Sequence, residues 1–300
     1  MTTTTAAPAA KKAKAPTIGE GGVSKAGWLV ESVVLILCLL WLIPTIGLLI
    51  TSFRYPEAAD TTGWWTWFAN PLQVTMDNYV GVLTAGTNPM GLAFINSVTV
   101  AVPSTVIPIL IAAFAAYAFT FMEFPGRDVL FIIVVGLLVV PNQVALVPLS
   151  VLFQQWGIQG QFITVWLAHA GFGMPLAVYI LRNYMATLPR AVIESAKIDG
   201  ASHFQTFWKL IIPMSVPALA SFAIFQFLWV WNDLLVALIF LGTGQNQVMT
   251  MAMASLLGDR GQGWQLLTAG AFLTMVLPIV VFLSLQRFFI RGLTAGAVKG

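Results

Sequence analysis

Charged side chains are scarce in this chain of 300 residues: they make up 8% of it, whereas a soluble domain carries about 25%. Hydrophobic residues make up 58%, and the mean hydropathy is +0.87. So few charges cannot give a globular surface enough groups for water to solvate, and we therefore expect lipid to surround most of the chain. The 14 Lys and Arg residues form no basic face or RNA-binding pattern, which argues against nucleic acid as a partner.

The residue types that build catalytic and metal sites are also few. The single cysteine, Cys38, lies inside an apolar run and has no second thiol for an internal disulfide. The two histidines, His169 and His203, stand apart in the sequence, which has no Ser/His/Asp or Cys/His arrangement. The phosphate-binding pattern G-x-x-x-x-G-K-[ST] is absent from it. We therefore expect no catalysis, metal or cofactor in this chain, and no ATP site of its own.

Long apolar runs dominate the rest of the sequence. A transmembrane helix needs about 20 mostly apolar residues, and six segments meet that requirement: 28–52, 92–121, 129–153, 162–184, 214–241 and 265–289. The sequence therefore predicts an all-α protein with six transmembrane helices. Prolines inside two of the segments free backbone carbonyls that neighbouring helices or a water-filled cavity must satisfy; they are Pro103, Pro108, Pro141 and Pro148.

The basic residues predict how these spans are oriented. If the N-terminus is cytosolic, only Arg54 and Arg260 of the 14 Lys and Arg residues fall in outer loops. The rest are then cytosolic, as the positive-inside rule requires. This orientation predicts that both termini and the loop between the fourth and fifth spans lie in the cytosol.

The N-terminal segment 1–24 is rich in Thr, Ala, Pro and Lys without apolar periodicity, which predicts a disordered cytosolic tail. A signal peptide is the alternative interpretation. However, the apolar run 28–52 is longer than an h-region of about 7–15 residues, and no small-residue cleavage site follows it. We therefore expect a retained span, a six-span domain over 25–290, and a cytosolic C-terminal tail over 291–300.

A polar loop over residues 189–213 separates the fourth and fifth spans. Pro189 suits the start of a helix over 190–199, because its fixed φ matches a first helical turn. Gly200 is expected to end that helix, because glycine tolerates the left-handed conformation found just after a helix. The first half of the loop is therefore predicted to be one short helix.

The second half of the loop carries the pattern of a second helix. Ser202 and Gln205 form a capping box, so this helix is predicted to start there, run to Ile212 and stop at Pro213. Two aromatic residues are expected to be exposed on it: Phe207 and Trp208. An amphipathic connector lying on the lipid surface is the alternative, although anionic lipids would repel the carboxylates of the loop.

A specific motif occupies this loop: E-S-A-K-I-D-G-A at 194–201, followed by L-I-I-P at 210–213. It resembles the cytosolic loop shared by the permease subunits of ATP-binding-cassette (ABC) importers, with Ser195 in place of the usual alanine. In that family the loop is a coupling helix seated in a groove of the ATPase subunit, where the glutamate meets a basic residue. The resemblance implies ATPase coupling by Glu194, Ala196, Asp199, Gly200, Phe207 and Pro213.

The C-terminal sequence Q-R-F-F-I-R-G-L-T-A-G-A-V-K-G at 286–300 narrows the resemblance. Over residues 28–300 the chain is similar to carbohydrate permeases related to the smaller permease of the maltose transporter, and 176–242 resembles α-glucoside permeases. The resemblance implies a bacterial plasma-membrane location and contacts of Arg291, Gly292 and Lys299 with the ATPases. The implied partners are a second, different permease, an ATPase dimer that binds the ATP, and an extracytoplasmic sugar-binding protein, which the outer loop 243–263 is expected to contact.

Polar side chains inside the spans are costly in hydrocarbon, so we expect them to face the bundle interior or a cavity. Sugars are recognised by amide and carboxylate groups beside flat aromatic faces. The candidates for lining a sugar pathway are Asn96, Asn142, Gln143, Gln226, Trp231, Asn232 and Asp233. The alternative is that each residue caps a broken helix or joins two spans by a hydrogen bond worth about 1 kcal/mol.

The resemblance implies that the chain forms half of the pathway of a sugar importer that works by alternating access. Other functions remain open at this point. An ion-coupled secondary transporter would need paired acids at membrane depth, and usually inverted repeats, and neither is evident. A membrane enzyme would need a catalytic cluster at one membrane face. An ABC permease for a polyol or another non-sugar solute would keep the class and change the cargo.

Overall fold

The computed structural model describes residues 25–84, 86, 89–256 and 263–295, with backbone only at 25, 26 and 288–295. The described residues form helices and no strand. The α-helices are α1 Lys25–Ser52, α2 Pro56–Thr61, α3 Asp77–Thr84, α4 Met90–Phe121, α5 Arg127–Gly136, α6 Asn142–Gln155, α7 Phe162–Met185, α8 Arg190–Ile198, α9 His203–Thr206, α10 Ile212–Trp231, α11 Leu235–Leu241, α12 Met249–Ala254 and α13 Trp264–Ala295. Two 3₁₀ helices, Trp64–Ala69 and Leu137–Val139, and a π-helical turn, Phe207–Ile211, complete the described elements.

Five described helical segments are long and apolar enough to cross a membrane: Gly27–Ser52, Met90–Phe121, Phe162–Met185, His203–Trp231 and Trp264–Arg287. A sixth candidate is broken, because Arg127–Val139 and Asn142–Gln155 meet at an angle of 97°. The break falls at Pro141, whose missing N–H cannot continue the helical ladder. The prediction of an all-α membrane protein is confirmed, and with the bent pair taken as one span the number is the predicted six.

The fifth span differs from the predicted 214–241. Its helix begins earlier, at His203, and ends at Trp231, and α11 is a separate helix after the break. A local cap explains the break, because the Asp233 carboxylate accepts a 2.7 Å hydrogen bond from the backbone N–H of Val236 in the first turn of α11. The sequence is apolar on both sides of this cap, so hydropathy alone merged two helices into one.

The proposed domain limits fall partly outside the described residues. The tail 1–24 lies outside them, as do Arg260 and the last residues, 296–300. At the other limit, the backbone of α13 stays helical to Ala295, beyond the end of the six-span domain that we placed at residue 290. Both tails stay predictions.

The chain divides into a unit that ends at Gly47 and a unit that begins at Leu48. The described part of the first unit is apolar helix belonging to α1. In the second unit, the first halves of α4 and α7 share one buried core with the end of α10, whereas their second halves share another with its start. Helices α4 and α7 therefore run in the same direction and α10 runs against them. We call the two ends of this bundle the hairpin end, where α8 and α9 pack, and the far end.

Prolines inside the helices leave carbonyls without their usual donor, four residues earlier in the chain. Pro103 of α4 frees the Thr99 carbonyl, which accepts a 2.9 Å hydrogen bond from Trp166 Nε1 of α7. Pro278 of α13 frees the Thr274 carbonyl, which accepts a 3.0 Å bond from Trp231 Nε1 of α10. Each indole N–H therefore ties one helix to the proline kink of another.

The third case uses an amide. Pro108 frees the Ser104 carbonyl of α4, and Gln226 Nε2 of α10 donates to it at 3.2 Å and to the His169 carbonyl of α7 at 3.2 Å. Gln226 is fully buried, and Gly173 makes room for it, since a Cβ there would lie 2.5 Å from Gln226 Oε1. One amide thus joins three helices in the middle of the bundle.

We expect Trp231→Phe to lower the free energy of unfolding by about 1 kcal/mol in the native background. The loss should be smaller in the Pro278→Ala background, because alanine restores a backbone N–H donor for the Thr274 carbonyl. Unfolding in mixed detergent micelles would measure this double-mutant cycle. The matched control is Trp229→Phe, whose indole has no hydrogen bond in the described part of the chain and which should show no coupling to Pro278→Ala. Equal costs for Trp231→Phe in both backgrounds would contradict the pairing.

Candidate functional site

The hairpin, defined as residues 189–213, starts with α8 and a glycine turn. Pro189 precedes α8 as its N-cap, and Gly200 follows it with φ +75°. The Ala201 N–H donates to the Ala196 carbonyl at 2.9 Å and the Gly200 N–H donates to the Lys197 carbonyl at 3.1 Å. This pair of bonds is the Schellman arrangement. The predicted helix and its glycine end are confirmed.

The second arm of the hairpin begins with the predicted capping box. The Gln205 N–H donates to Ser202 Oγ at 3.3 Å, and the Ser202 N–H donates to Gln205 Oε1 at 3.0 Å. The predicted stop at Pro213 is wrong, because the helix passes through a π-helical turn and continues into α10. Proline is tolerated there because it occupies the first turn of α10, after the turn in which the ladder has already widened.

The inner face of the hairpin is buried against the second halves of α4 and α7. It consists of Ile193, Phe207 and Ile211, each at most 6% exposed. The expectation that Phe207 is exposed is therefore wrong: its ring stacks on that of Phe114 in α4, with centroids 4.3 Å apart. The inner face holds the hairpin to the bundle.

A polar contact accompanies this packing. The hydroxyl of Tyr117 in α4 and Nδ1 of His203 in α9 lie 2.9 Å apart, within hydrogen-bonding distance. Tyr117 also packs edge-on against Phe207, with centroids 5.5 Å apart. The hairpin is therefore fixed to α4 by both aromatic packing and a hydrogen bond, so the two elements are expected to move together.

The outer face of the hairpin carries carboxylates beside apolar side chains. Glu194 and Asp199 are exposed, and so are Ile198 (86%) and Phe204 (65%). Trp208 is 39% exposed, as expected from the sequence. The sequence analysis missed Ile198 and Phe204, although they lie directly beside the residues that define the turn. The outer face therefore presents both carboxylates and apolar side chains to its surroundings.

The other residues assigned to coupling lie in different places. Gly200 and Pro213 are exposed, whereas Ala196 and Phe207 are buried. The residues assigned to the C-terminal contact are described only in part. Arg291 and Gly292 belong to α13, where only the backbone is described, and Lys299 lies outside the described residues.

The break between α5 and α6 opens a groove against α7 and α10, with a volume of about 380 Å³. Three of the predicted pathway residues meet there: Asn142, Gln143 and Gln226. Trp229 and Phe172 add aromatic surface to the lining. Gln143 is exposed and Asn142 is half-buried, so their amides are free to meet a solute in the groove. The groove thus combines amides with aromatic faces, which is the combination that sugar binding requires.

The remaining pathway candidates make hydrogen bonds that hold the far end together. Asn96 Nδ2 donates to the Gln247 carbonyl at 2.9 Å, Trp231 bonds to Thr274 as described above, and Asn232 Nδ2 donates to the Leu228 carbonyl of its own helix at 2.7 Å. Asp233 caps α11, and its carbonyl accepts a 2.9 Å bond from Thr250 Oγ1. For these four residues the structure favours the alternative of helix capping and joining.

The fold and the hairpin together indicate the class of this protein. Apolar spans border a groove that presents the amides of Asn142 and Gln143, and an amphipathic hairpin packs on one end of the bundle. This is the architecture of a transporter permease. The chain belongs to the family described as binding-protein-dependent transport system inner membrane component, which matches residues 108–295. It is therefore a permease of the inner membrane and not an enzyme.

Named relatives agree with the family. The chain is 54% identical over 270 residues to the osmoprotective compounds uptake permease protein GgtD of Synechocystis sp., covering 89% of this chain and 90% of that protein. It is 59% identical to the alpha-glucoside transport system permease protein AglG of Rhizobium meliloti, over 77% of this chain and 62% of AglG. It is 34% identical to the trehalose transport system permease protein SugB of Mycobacterium tuberculosis, over 77% and 84%.

The fold also matches a solved transporter. A chain of a bacterial ABC transporter involved in the import of the acidic polysaccharide alginate superposes with a TM-score of 0.63, at 16% identity, over 89% of this chain and 96% of that one. At this identity the likeness concerns the fold alone. The resemblance to ABC importer permeases that the sequence indicated is confirmed.

We expect Tyr117→Phe to loosen the hairpin, because it removes the hydrogen bond to His203 and leaves the ring packing in place. A lost neutral hydrogen bond costs about 1 kcal/mol, which corresponds to roughly fivefold faster amide exchange where local opening limits it. Hydrogen–deuterium exchange over residues 203–211 would measure this. Tyr179→Phe, on an exposed tyrosine of α7, is the control; equal changes in both variants would count against the contact.

Proposed function

We propose that the chain is the permease subunit of an ATP-driven ABC importer of sugars, and that the outer face of the hairpin docks on the ATPase subunit. The observation that carries the proposal is the two-sided hairpin: its inner face is buried in the bundle while Glu194, Asp199, Ile198 and Phe204 are exposed. The exposed residues make the contact, and Ala196, Gly200 and Phe207 shape and anchor the hairpin.

The hairpin is built to pass displacement into the bundle. Its second arm is continuous with α10, so one helical segment of 29 residues, about 43 Å long, runs from His203 to Trp231. A force on the outer face therefore acts on α10 directly and on α4 through the contacts of Phe207 and His203. Closure of the ATPases would rock these helices between inward-facing and outward-facing states.

The proposed orientation places the hairpin end in the cytosol. The supporting observation is the excess of basic residues assigned to that side, and a motor driven by cytosolic ATP must meet the hairpin there. The remaining partners of the proposal are a second, different permease, an ATPase dimer that binds the ATP, and an extracytoplasmic sugar-binding protein at the far end. Arg291, Gly292 and Lys299 are proposed to contact the ATPases.

We expect Glu194→Lys to uncouple transport from ATP hydrolysis, because it reverses the charge that faces a basic residue of the ATPase. Sugar uptake should fall about tenfold or more, consistent with a charge-assisted contact, while the amount of permease in the membrane stays unchanged. Uptake and ATPase activity measured in the same reconstituted vesicles check this.

The control for that experiment is Glu123→Lys, which makes the same charge change at an exposed position in the α4–α5 loop, at the hairpin end but outside the hairpin. It should leave uptake within about twofold of the native value. Normal uptake by the Glu194 variant would refute the docking role, and an equal loss in both variants would assign the effect to net charge.

The groove at the break between α5 and α6 is the proposed part of the sugar pathway in this chain. It is open, it presents the amides of Asn142 and Gln143, and it has Trp229 on its wall. The names of relatives support a sugar as cargo, with α-glucosides and trehalose among them. Another relative is named for the uptake of osmoprotective compounds, so a non-sugar solute is the second candidate. Competition between polyols and α-glucosides for uptake would distinguish the two cargoes.

We expect Gln143→Ala to lower kcat/KM for uptake about five- to tenfold, the cost of one lost hydrogen bond of about 1–1.5 kcal/mol to the sugar. Asn232→Ala is the matched control, because that amide bonds only within its own helix end, and we expect a change of less than about twofold. Uptake kinetics with radiolabelled sugar measure both. A larger loss in Asn232→Ala than in Gln143→Ala would move the pathway away from the groove.

A further inference from the structure

Three arginines line one small cavity at the hairpin end: Arg127 at the start of α5, Arg182 in the last turn of α7, and Arg190 at the start of α8. The cavity has a volume of about 110 Å³. A water molecule occupies about 30 Å³ in the liquid, so the space is large enough for a phosphate group. The rest of the lining is mostly apolar: Phe119, Thr120, Phe121, Ala186 and Leu188.

Little within the described residues neutralises these arginines. Arg127 Nε lies 3.1 Å from the carboxylate of Asp128, and within the described chain no carboxylate lies within 4.0 Å of Arg182 or Arg190. Arg182 Nε is buried without a hydrogen-bond partner there, and its guanidinium lies 4.8 Å from the centroid of the Phe131 ring. Arg182 is the least solvated of the three: its Nη1 donates to Asn183 Oδ1 at 3.4 Å, but its buried Nε–H has no acceptor, and leaving a desolvated cationic donor unsatisfied is costly unless an anion accepts from it.

The surroundings of the cavity favour an anion that carries apolar chains. The candidate spans end at Phe121 and Met185, so the cavity lies at the level of the membrane interface. After Arg127 and the exposed carboxylate of Asp128, α5 exposes four apolar side chains, with exposed fractions between 48% for Leu130 and 67% for Ile132; they are Val129, Leu130, Ile132 and Ile133. A soluble anion would use the arginines alone, whereas a phospholipid would use the arginines and this apolar strip together.

We propose that the cavity binds the phosphate group of an anionic membrane phospholipid whose acyl chains lie along α5. Guanidinium forks match the geometry of phosphate oxygens, and basic pockets between spans at the cytoplasmic interface are a recurrent form of lipid recognition. The bound lipid would join the ends of α4, α5 and α7 to the first turn of the hairpin through Arg190. This inference rests on the membrane location and does not depend on the docking role of Glu194.

The test uses the transporter complex purified in detergent, stripped of lipid, and titrated with dioleoyl phosphatidylglycerol or dioleoyl phosphatidylcholine under native mass spectrometry. We expect the native complex to retain phosphatidylglycerol about tenfold more tightly than phosphatidylcholine. Arg182→Gln and Arg190→Gln should each weaken the binding of phosphatidylglycerol about tenfold. Lys209→Gln, which removes one exposed charge of the hairpin outside the cavity, should change it less than twofold.

The variant Arg190→Gln keeps the test sound if Arg182→Gln fails to fold, because Arg190 is exposed. Equal retention of the two lipids, or unchanged retention in the arginine variants, overturns the proposal. If inorganic phosphate stabilises the complex and displaces the lipid, the site takes a soluble phosphate and the lipid source is wrong. If the variants release the ATPase subunits while lipid retention is unchanged, a carboxylate of a partner protein fills the cavity, and the proposal fails.

Discussion

The carbonyls freed by proline are the constraint on which this bundle depends. Lipid offers no water to satisfy them, so a freed carbonyl must find a donor within the protein. For the carbonyls freed by Pro103, Pro108 and Pro278, that donor is the side chain of Trp166, Gln226 or Trp231, each on a different helix from the carbonyl that it satisfies. The bonds therefore fix the relative positions of α4, α7, α10 and α13 at their kinks. Packing of apolar residues alone would leave these helices free to slide, because lipid tails are as apolar as the side chains.

This constraint explains why several of the pathway candidates form hydrogen bonds within the bundle. A polar side chain in a span has two uses, satisfying backbone or meeting a solute, and composition does not distinguish them. The proline at i+4 identifies the freed carbonyl, but the donor comes from a helix distant in sequence, as Trp231 does for Thr274. Gln226 serves the first purpose, since its fully buried amide bonds to the Ser104 and His169 carbonyls at the wall of the groove. Asn142 and Gln143 reach the groove because Pro141 breaks the span beside them.

In the hairpin, too, features set by neighbouring residues were predictable from the sequence, whereas features set by residues distant in the sequence were not. Its ends were predictable from sequence, because Gly200 and the Ser202–Gln205 box act through bonds within a few residues. Its inner face was not, because the burial of Phe207 depends on Phe114 and Tyr117, which lie about 90 residues earlier. The stop expected at Pro213 was wrong because a π-helical turn precedes the proline. The proline then lies in the first turn of α10, and the helix continues. Hydropathy predicted the number of spans. It did not predict the break at Asp233, because that break depends on a cap inside an apolar run.

These features meet on one helix. The segment from His203 to Trp231 begins in the hairpin, carries Gln226 and Trp229 on the wall of the groove, and ends at the indole that bonds α13. A displacement of the hairpin therefore cannot stay local, because the helix that it starts is joined to α4 and α7 through Gln226 and to α13 through Trp231. The part of the groove formed by Asn142 and Gln143 lies on the broken span α5–α6, which has no comparable side-chain tie among the described hydrogen bonds to these kinks. Relative movement is thus expected between the tied helices and the broken span, along the groove that they line together.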